Sequence, residues 1–158
     1  MKYFKPDIIL DRVFDLNVEK LKKNRIKGVI FDIDNTLAYN AEPEPDEKVT
    51  AFLKALQKEG FQIALVSNNN KMRVTTYNQN LKLPHIYRAC KPLKFKLSKI
   101  IKAFGIERKE ACMVGDQLFT DIWGGKRMGM FTVLVKPFDD NEERFIRFKR
   151  KVEHFFLR

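Results

Sequence analysis

The chain has 158 residues, 44% of them hydrophobic, so it is long enough to bury a core and we expect one domain over residues 1–158. No apolar run approaches bilayer-spanning length, and Pro6 and Asp7 interrupt the place of a signal peptide's apolar segment, which predicts a cytoplasmic protein. The net charge of +11 is typical of proteins that meet nucleic acid, anionic membranes or phosphorylated substrates, and a solvated basic surface without a partner is the simpler alternative.

Helix and strand patterns alternate along the chain. Short helical patterns at residues 7–14 and 17–23 make up an N-terminal helical segment over residues 7–25. The core, about residues 26–137, has apolar runs that predict about five strands, at 29–34, 62–66, 86–90, 111–114 and 131–135. Helices are predicted between them, at about 46–59, 71–81, 97–104 and ending at Gly129. This order predicts an α/β fold with a doubly wound, Rossmann-like parallel sheet.

Two carboxylates, Asp32 and Asp34, end the first buried run. Residues two apart in an extended chain point to the same side, so the pair would place like charges together in a buried environment. This arrangement is costly unless another group offsets the repulsion, and a divalent cation with a phosphate group is the expected one. The carboxyl end of a strand is also where open α/β sheets bind their ligands.

Further polar residues follow the later predicted strands. Ser67 and Asn68, then Lys91, and then Asp116 with Asp121 each come just after a strand, so all are expected at one edge of the sheet. Each signal is weak alone, because a Ser after a strand is commonly a helix cap and Gly-Asp commonly makes a turn. Together, in this order, they predict a shared site.

The same residues carry a family resemblance. Residues 32–36 (Asp-Ile-Asp-Asn-Thr) and 115–121 (Gly-Asp-Gln-Leu-Phe-Thr-Asp), with Ser67 and Lys91 between them, resemble the four motifs of the haloacid dehalogenase-like (HAD) phosphatases over about residues 28–137. The layout, including residues 66–70 (Val-Ser-Asn-Asn-Asn), further resembles the short bacterial YqeG-type members, which are similar to the phosphatidylglycerophosphate phosphatases of mitochondria. The resemblance implies a HAD-like fold and hydrolysis of phosphate monoesters.

The resemblance also implies catalytic roles. Asp32 would be the nucleophile that forms an aspartyl-phosphate, and Asp34 would protonate the departing oxygen and then accept a proton from water. A Mg²⁺ cofactor would be held by the Asp32 carboxylate, the Asp34 backbone carbonyl and the Asp116 carboxylate. Asp121 would act through a coordinated water or by supporting the ligands, and Thr36 would fix the turn that carries Asp34.

The charge of the phosphoryl group must also be neutralised, since electrostatics dominate this reaction. The family pattern assigns this role to the Ser67 hydroxyl, the Asn68 backbone and the Lys91 ammonium. Lys94 and Lys96 are close enough in sequence to compete with Lys91. The Lys-Pro junction directly after a predicted strand favours Lys91.

Three other classes of protein share parts of this pattern, and each fits less well. A dehalogenase uses the same nucleophile but lacks an acid/base Asp at the position of Asp34. A receiver-like phosphoacceptor domain would show an Asp-Asp pair near its start and no Asp-x-Asp-x-Thr segment. A binding module without turnover would have lost part of the four motifs, and none is lost here.

The class of substrate is inferred from the loop lengths, which leave no room for a cap domain over the site. Residues 37–46 form a short loop and residues 68–90 hold one predicted helix and one strand, so no cap domain is expected. An open site excludes water poorly by itself, which favours a large or surface-held substrate. Candidates are a phospholipid, with phosphatidylglycerophosphate suggested by the resemblance, a phosphoprotein or a nucleic-acid end. The alternatives are small phosphorylated metabolites, or a basic nucleic-acid-associated protein with a secondary phosphatase site, although no nucleic-acid motif is recognised.

The C-terminal residues 141–157 predict a basic amphipathic helix. Its apolar stripe is bordered by basic side chains, a pattern typical of peripheral binding to anionic membranes. The equally good alternative is a last helix whose stripe packs on its own domain. The stripe and its border are Phe145, Phe148, Val152, Phe155 and Phe156, with Arg144, Arg147, Arg150, Lys151 and Arg158.

Overall fold

The computed structural model describes residues 2–39, 42–91 and 94–138, together with residues 146, 147, 150, 151 and 154. These residues contain six strands: β1 (Ile8–Leu10), β2 (Gly28–Phe31), β3 (Gln62–Val66), β4 (His85–Ile86), β5 (Ala111–Gly115) and β6 (Phe131–Val135). They form one sheet in the order β1-β6-β5-β2-β3-β4, with every neighbouring pair parallel. The predicted α/β fold with a parallel sheet is confirmed, with six strands rather than about five.

Five α-helices connect the strands: α1 (Val18–Lys23), α2 (Glu47–Lys58), α3 (Lys71–Asn78), α4 (Lys94–Phe104) and α5 (Trp123–Arg127). The side chains of Asp46 and Asn70 cap α2 and α3 by accepting a backbone N–H from the first turn. A wide π-helical turn, Leu118–Ile122, leads from β5 into α5. Short 3₁₀ turns lie at Lys2–Phe4, Val13–Asp15 and Arg108–Glu110.

Two apolar cores lie on opposite faces of the sheet, because successive side chains of a strand point to opposite sides. In β2, Val29 and Phe31 pack into the core that includes Leu53 of α2 and Val74 of α3. Ile30 packs into the other core, together with Leu97 of α4. Burial on both faces explains why the central strands are continuous apolar runs without alternation.

The N-terminal prediction was wrong at residues 7–14. Ile8–Leu10 is an edge strand paired in parallel with β6, and Val13–Asp15 is a single 3₁₀ turn. The Asp7 carboxylate secures the start of this pairing by accepting the Thr132 backbone N–H at 2.8 Å. The helical prediction for residues 17–23 is confirmed by α1, which Asn17 caps.

The predicted strand at 86–90 is also shorter than expected. β4 ends at Ile86, because Arg88 and Cys90 adopt left-handed backbone conformations (φ 45° and 56°) that no strand accommodates. The backbone N–H groups of Arg88 and Ala89 instead donate to the carbonyls of Asn69 and Ser67. The segment before Lys91 is thereby tied to the loop that follows β3.

No cap domain is present in the described ranges 2–39, 42–91 and 94–138, which agrees with the expectation from loop lengths. Nor does that part of the chain contain a helix long and apolar enough to cross a membrane. The predicted helix at 141–157 lies largely outside the described residues, as does its stripe of Phe145, Phe148, Val152, Phe155 and Phe156. Its described members, residues 146, 147, 150, 151 and 154, have helical backbone and are exposed.

Candidate active site

The carboxyl edge of the sheet holds an open pocket of about 260 Å³. It lies over β2, which pairs with β3 on one side and with β5 on the other. From β2 the chain continues to one side through β3 and β4, and it returns on the other side of β2 at β5. This is the position at which open α/β sheets bind ligands. The lining residues come from the loops after β2, β3 and β5 and from the segment after β4: Asp32, Asp34, Asn35, Ser67, Asn68, Asn69, Lys91, Gln117 and Thr120.

Asp32 begins the turn that follows β2. Its backbone N–H donates to the Val114 carbonyl at 3.0 Å, which continues the pairing with β5 by one residue. Asn35 then takes a left-handed conformation (φ 63°), which Asn tolerates better than most residues. The turn brings the buried Thr36 hydroxyl within 3.3 Å of Asp32 Oδ2 and 3.2 Å of Asp116 Oδ1. Thr36 therefore links the two carboxylates as well as belonging to the turn.

Lys91 is the buried cation of the pocket. Its Nζ donates to Asp32 Oδ1 at 2.7 Å, to Asp121 Oδ1 at 2.5 Å and to the Val66 carbonyl at 3.2 Å. Burial lowers the pKa of this ammonium, but attraction to Asp121 and Asp32 outweighs burial and leaves the pKa above its ordinary value. Lys91 is therefore charged at neutral pH, and it stabilises negative charge at the base of the pocket.

Asp32, Asp116 and Asp121 form an acidic triad. One oxygen from each carboxylate lies within 4.8 Å of the others, an arrangement able to hold a metal ion. Burial raises the pKa of Asp116 to about 8, and repulsion from Asp32 and Asp121 adds to this effect. Burial likewise raises the pKa of Asp121 to about 6, with repulsion from Asp32 adding and attraction to Lys91 opposing. When all three carboxylates are ionised, their charge exceeds what Lys91 alone offsets, so the ionised triad favours a divalent cation.

Asp121 is held from two sides. Its Oδ1 accepts from Lys91, and its Oδ2 accepts the Gln117 backbone N–H at 3.2 Å. A Cβ on Gly115 would lie 2.2 Å from Asp121 Oδ2, so only glycine leaves room for this carboxylate. Protein donors therefore contact both oxygens of Asp121, as they do those of Asp32, and the supporting role of Asp121 stays a prediction.

The loop after β3 fixes the segment that carries Lys91. The Asn68 side chain accepts the Lys91 backbone N–H at 2.8 Å and donates to the Lys91 carbonyl at 3.3 Å. Ser67 is 2% exposed, and its Oγ accepts the Asn69 backbone N–H at 3.0 Å. Both residues line the pocket as expected. This positioning of Lys91 by the Asn68 side chain was not predicted from the sequence.

The competing lysines lie elsewhere. Lys94 is exposed at the first position of α4, and the Lys96 Nζ donates to the carbonyls of Tyr87 and Arg88 at 3.3 and 2.5 Å. Neither residue lines the pocket. Of the three candidates, Lys91 is the one that the structure brings to Asp32.

The residues that surround Asp34 were not predicted from the sequence. Arg73 forms an ion pair with Asp34 Oδ1 at 2.9 Å, and Asn69 Nδ2 donates to Asp34 Oδ2 at 3.2 Å. Gln117 and Thr120, which also line the pocket, were not singled out either. The Asn run at 68–70 was visible in the sequence, but nothing in it indicated which of these side chains faces the site.

Comparison with known proteins identifies the family. Residues 38–129 match the family model described as haloacid dehalogenase-like hydrolase. The chain is also 34% identical over 156 residues to the Bacillus subtilis (strain 168) protein described as "Probable phosphatase YqeG", covering 99% of this chain and 91% of that protein. The chain belongs to the haloacid dehalogenase-like hydrolase family. It is a phosphatase of the HAD type, which confirms the family predicted from the four motifs.

Two further comparisons agree. The chain is 33% identical over 153 residues to phosphatidylglycerophosphate phosphatase 1, chloroplastic/mitochondrial, from Arabidopsis thaliana, covering 89% of this chain but 43% of that protein. Its fold is similar to 3-deoxy-D-manno-octulosonate 8-phosphate phosphatase from Moraxella catarrhalis, solved in complex with magnesium ion, phosphate ion and KDO. That match has a TM-score of 0.50 and 21% identity, and covers 63% of this chain and 64% of the other. At this identity, it supports the HAD-like fold alone.

Proposed function

We propose that this HAD phosphatase is a Mg²⁺-dependent phosphomonoester hydrolase that works through an aspartyl-phosphate on Asp32. The observation that carries the proposal is the contact between the Asp32 carboxylate and the Lys91 ammonium, 2.7 Å apart at the base of an open pocket. Lys91 would stabilise the phosphoryl oxygens as charge develops on them. The Ser67 hydroxyl and the Asn68 backbone complete the proposed phosphate-binding set.

The acidic triad fits a magnesium ion. Its ligands would be hard carboxylate oxygens from Asp32 and Asp116, together with the Asp34 backbone carbonyl, and Asp121 would support them. When bound, Mg²⁺ would offset the repulsion within the triad and neutralise charge on the phosphoryl group. The raised pKa values of Asp116 and Asp121 support this assignment, because burial first, and then repulsion within the triad, disfavours the ionised carboxylates, and a bound cation would offset both effects.

Asp32 and Asp34 divide the chemistry between them. An Asp32 oxygen attacks phosphorus, the bond from phosphorus to the leaving oxygen breaks, and Asp34 gives that oxygen a proton. A water molecule then attacks the phosphorus of the aspartyl-phosphate and passes a proton back to Asp34. The bond from phosphorus to Asp32 breaks, which releases inorganic phosphate and regenerates both carboxyl groups.

The preferred substrate is a large or membrane-held phosphomonoester such as phosphatidylglycerophosphate. The uncapped pocket supports this choice, since the substrate must help to cover the site, as does the similarity to the Arabidopsis phosphatidylglycerophosphate phosphatase. At the carboxyl edge of the sheet, here called the catalytic edge because it holds the pocket, the apolar side chains of Met72 (78%), Phe95 (70%) and Phe119 (65%) are exposed. Met72 and Phe95 are the second residues of α3 and α4, and Phe119 lies in the π-helical turn, next to loops that line the pocket. Exposed apolar residues around a site are typical of surfaces that meet lipid or another protein.

The decisive test is Asp32→Asn, assayed for phosphate release from p-nitrophenyl phosphate and from phosphatidylglycerophosphate in mixed micelles. We expect the variant to fold and to lose turnover, because an amide is a far poorer nucleophile and metal ligand than a carboxylate. Wild type in excess EDTA should lose activity, and Mg²⁺ should restore it. Rapid hydrolysis of p-nitrophenyl phosphate by Asp32→Asn, or by wild type in EDTA, would contradict the proposal.

A further inference from the structure

Arg73, near the start of α3, holds the Asp34 carboxylate beside the pocket. Its Nε and one terminal nitrogen donate to Asp34 Oδ1 at 3.2 and 2.9 Å. Its other terminal nitrogen donates to the Glu42 carbonyl at 2.6 Å, which links α3 to the loop that precedes α2. The Arg73 side chain is 11% exposed against 33% for Asp34, and Arg73 does not line the pocket. The guanidinium thus contacts the carboxylate without reaching the space for substrate.

The neighbours of Arg73 fix its position. Its backbone N–H donates to the Asn70 cap at 2.9 Å. Its guanidinium carbon lies 5.2 Å from the centre of the Tyr77 ring, a side chain with no exposed surface. A planar guanidinium supported by an aromatic ring and a helix cap loses little freedom on binding a carboxylate. Arg73 is therefore arranged in advance for its contact with Asp34.

We propose that Arg73 is a positioning residue for proton transfer by Asp34. Two Arg73 donors occupy Oδ1, so the proton that Asp34 transfers would be carried on Oδ2. That oxygen has the Asn69 amide as its neighbour at 3.2 Å, and both Asp34 and Asn69 line the pocket. Holding Oδ1 directs Oδ2 towards the leaving oxygen, and a displacement of about 1 Å from such a geometry can cost about 100-fold in rate.

The inference rests on the proposed acid/base role of Asp34. Two substrates with different leaving groups distinguish a defect in that role from a general distortion of the site. An alkyl phosphate expels a basic alkoxide that needs a proton, whereas a dinitrophenyl phosphate expels a stable phenolate that needs none. A defect in positioning Asp34 should therefore slow the alkyl substrate selectively. A distortion of the pocket as a whole would slow both substrates to the same extent.

The experiment measures kcat/KM with glycerol 3-phosphate and with 2,4-dinitrophenyl phosphate, in saturating Mg²⁺. This ratio covers the steps up to expulsion of the leaving group and leaves out hydrolysis of the aspartyl-phosphate, which both substrates share. The variants are Arg73→Ala, Arg73→Lys, Asp34→Asn and the double variant Asp34→Asn/Arg73→Ala, with Thr76→Ala, an exposed position of the same helix, as the matched control. We expect Asp34→Asn to lower kcat/KM for the alkyl substrate about 10²–10⁴-fold, and Arg73→Ala to lower it about 100-fold. Both should change the dinitrophenyl reaction much less.

The double variant gives the sharpest result. If Arg73 acts through Asp34, adding Arg73→Ala to Asp34→Asn should lower kcat/KM for the alkyl substrate by no more than about twofold. Arg73→Lys should recover part of the loss in kcat/KM, because lysine keeps the positive charge but lacks the planar set of N–H donors of arginine. It also tests the inference if Arg73→Ala does not fold. Equal losses on both substrates for the Arg73 variants, or additive losses in the double variant, would overturn the inference. Equal losses on both substrates for Asp34→Asn would instead overturn the acid/base role of Asp34.

Discussion

Gly115 ends β5 at the point where a side chain would collide with the site. A Cβ there would lie 2.2 Å from Asp121 Oδ2 and 2.5 Å from the Asp121 Cβ, and the Lys91 ammonium is bonded to the same carboxylate. Gly115 is therefore required by the close approach of Asp121. Packing therefore explains the glycine of the Gly-Asp pair at residues 115 and 116.

Gly115→Ala should displace Asp121, loosen its contact with Lys91 and lower both stability and turnover. Forcing an extra methyl group into a packed site costs about 1–3 kcal/mol, which urea unfolding would measure. The matched control is Gly60→Ala, since Gly60 has a positive φ of 96° but no atom within 4 Å of its would-be Cβ. The control should lose a similar stability with kcat unchanged. Full activity in Gly115→Ala would mean that Asp121 can move without consequence.

Asp116 and Asp121 should make the stability of the metal-free protein depend on pH. Their folded pKa values, about 8 and about 6, lie above the ordinary 3.8, so the folded state favours the protonated forms. Their contribution to stability is full below pH 3.8 and is lost as pH rises, through about 6 for Asp121 and about 8 for Asp116. Thermal unfolding in EDTA should therefore show stability falling from pH 3.8 to about 8, with the part above pH 6 due to Asp116, and Asp116→Asn should reduce that part. Mg²⁺ should raise the melting temperature more at pH 8 than at pH 6; equal stabilisation would argue against a metal on Asp116.

The sequence predicts the location of those site residues that come directly after a strand. Asp32, Ser67 and Asp116 were located because parallel strands carry whatever follows them to one edge. Arg73 and Asn69 were missed because their role depends on which way a side chain turns within a loop or the first turn of a helix. Backbone periodicity leaves that direction open.

At the scale of elements, pairing over long sequence distances decides what local patterns leave open. Ile8–Leu10 is a run of three apolar residues that fits a strand or a helix equally well. It is a strand because β6, more than 120 residues later, offers an edge in register with it: Ile8 pairs with Val133 and Leu10 with Val135. The helices α2 and α4 were predicted more closely, since each carries its own apolar stripe.

Asp7 should matter for stability and not for catalysis. Its carboxylate accepts the Thr132 backbone N–H at 2.8 Å and pairs with Lys126 at 2.6 Å, at the edge of the sheet opposite the pocket. Asp7→Ala leaves the Thr132 N–H without this acceptor, which should cost about 1–3 kcal/mol in the free energy of unfolding. The control is Asp15→Ala, whose pair with Arg12 is exposed to solvent and should contribute little to stability. A large fall in kcat for Asp7→Ala, with stability unchanged, would show that β1 influences the site.

At the scale of the whole molecule, charge and exposed apolar surface occur together at the catalytic edge. The chain carries a net charge of +11. Lys71 precedes the exposed Met72, and the Lys99 ammonium lies 4.8 Å from the centre of the exposed Phe95 ring. Basic side chains beside apolar ones are a combination suited to an anionic bilayer, where the cations meet headgroups and the apolar groups enter the interface. A pocket opening between them would receive a phosphomonoester headgroup directly.

We therefore expect reversible binding to anionic membranes by this edge, with the C-terminal segment as a second contributor. Each basic residue near such a surface adds about 1 kcal/mol at most, and the attraction decays over a Debye length of about 8 Å at physiological salt. The protein should sediment with vesicles containing phosphatidylglycerol at low salt, dissociate as salt rises, and ignore phosphatidylcholine vesicles. Single-stranded oligonucleotides that bind more tightly than the vesicles would favour a nucleic-acid partner instead.

Charge reversals locate the contact. Lys71→Glu, Lys94→Glu and Lys99→Glu together should weaken vesicle binding and slow phosphatidylglycerophosphate hydrolysis, while p-nitrophenyl phosphate turnover stays unchanged. The matched control reverses three exposed basic residues before β5, at the opposite edge of the sheet: Lys102, Arg108 and Lys109. Because both sets change the net charge equally, a difference between them reports position and not total charge. Equal weakening by both sets would reduce the effect to non-specific attraction, and a larger loss from reversing Arg147, Arg150 and Lys151 would place the contact on the C-terminal segment.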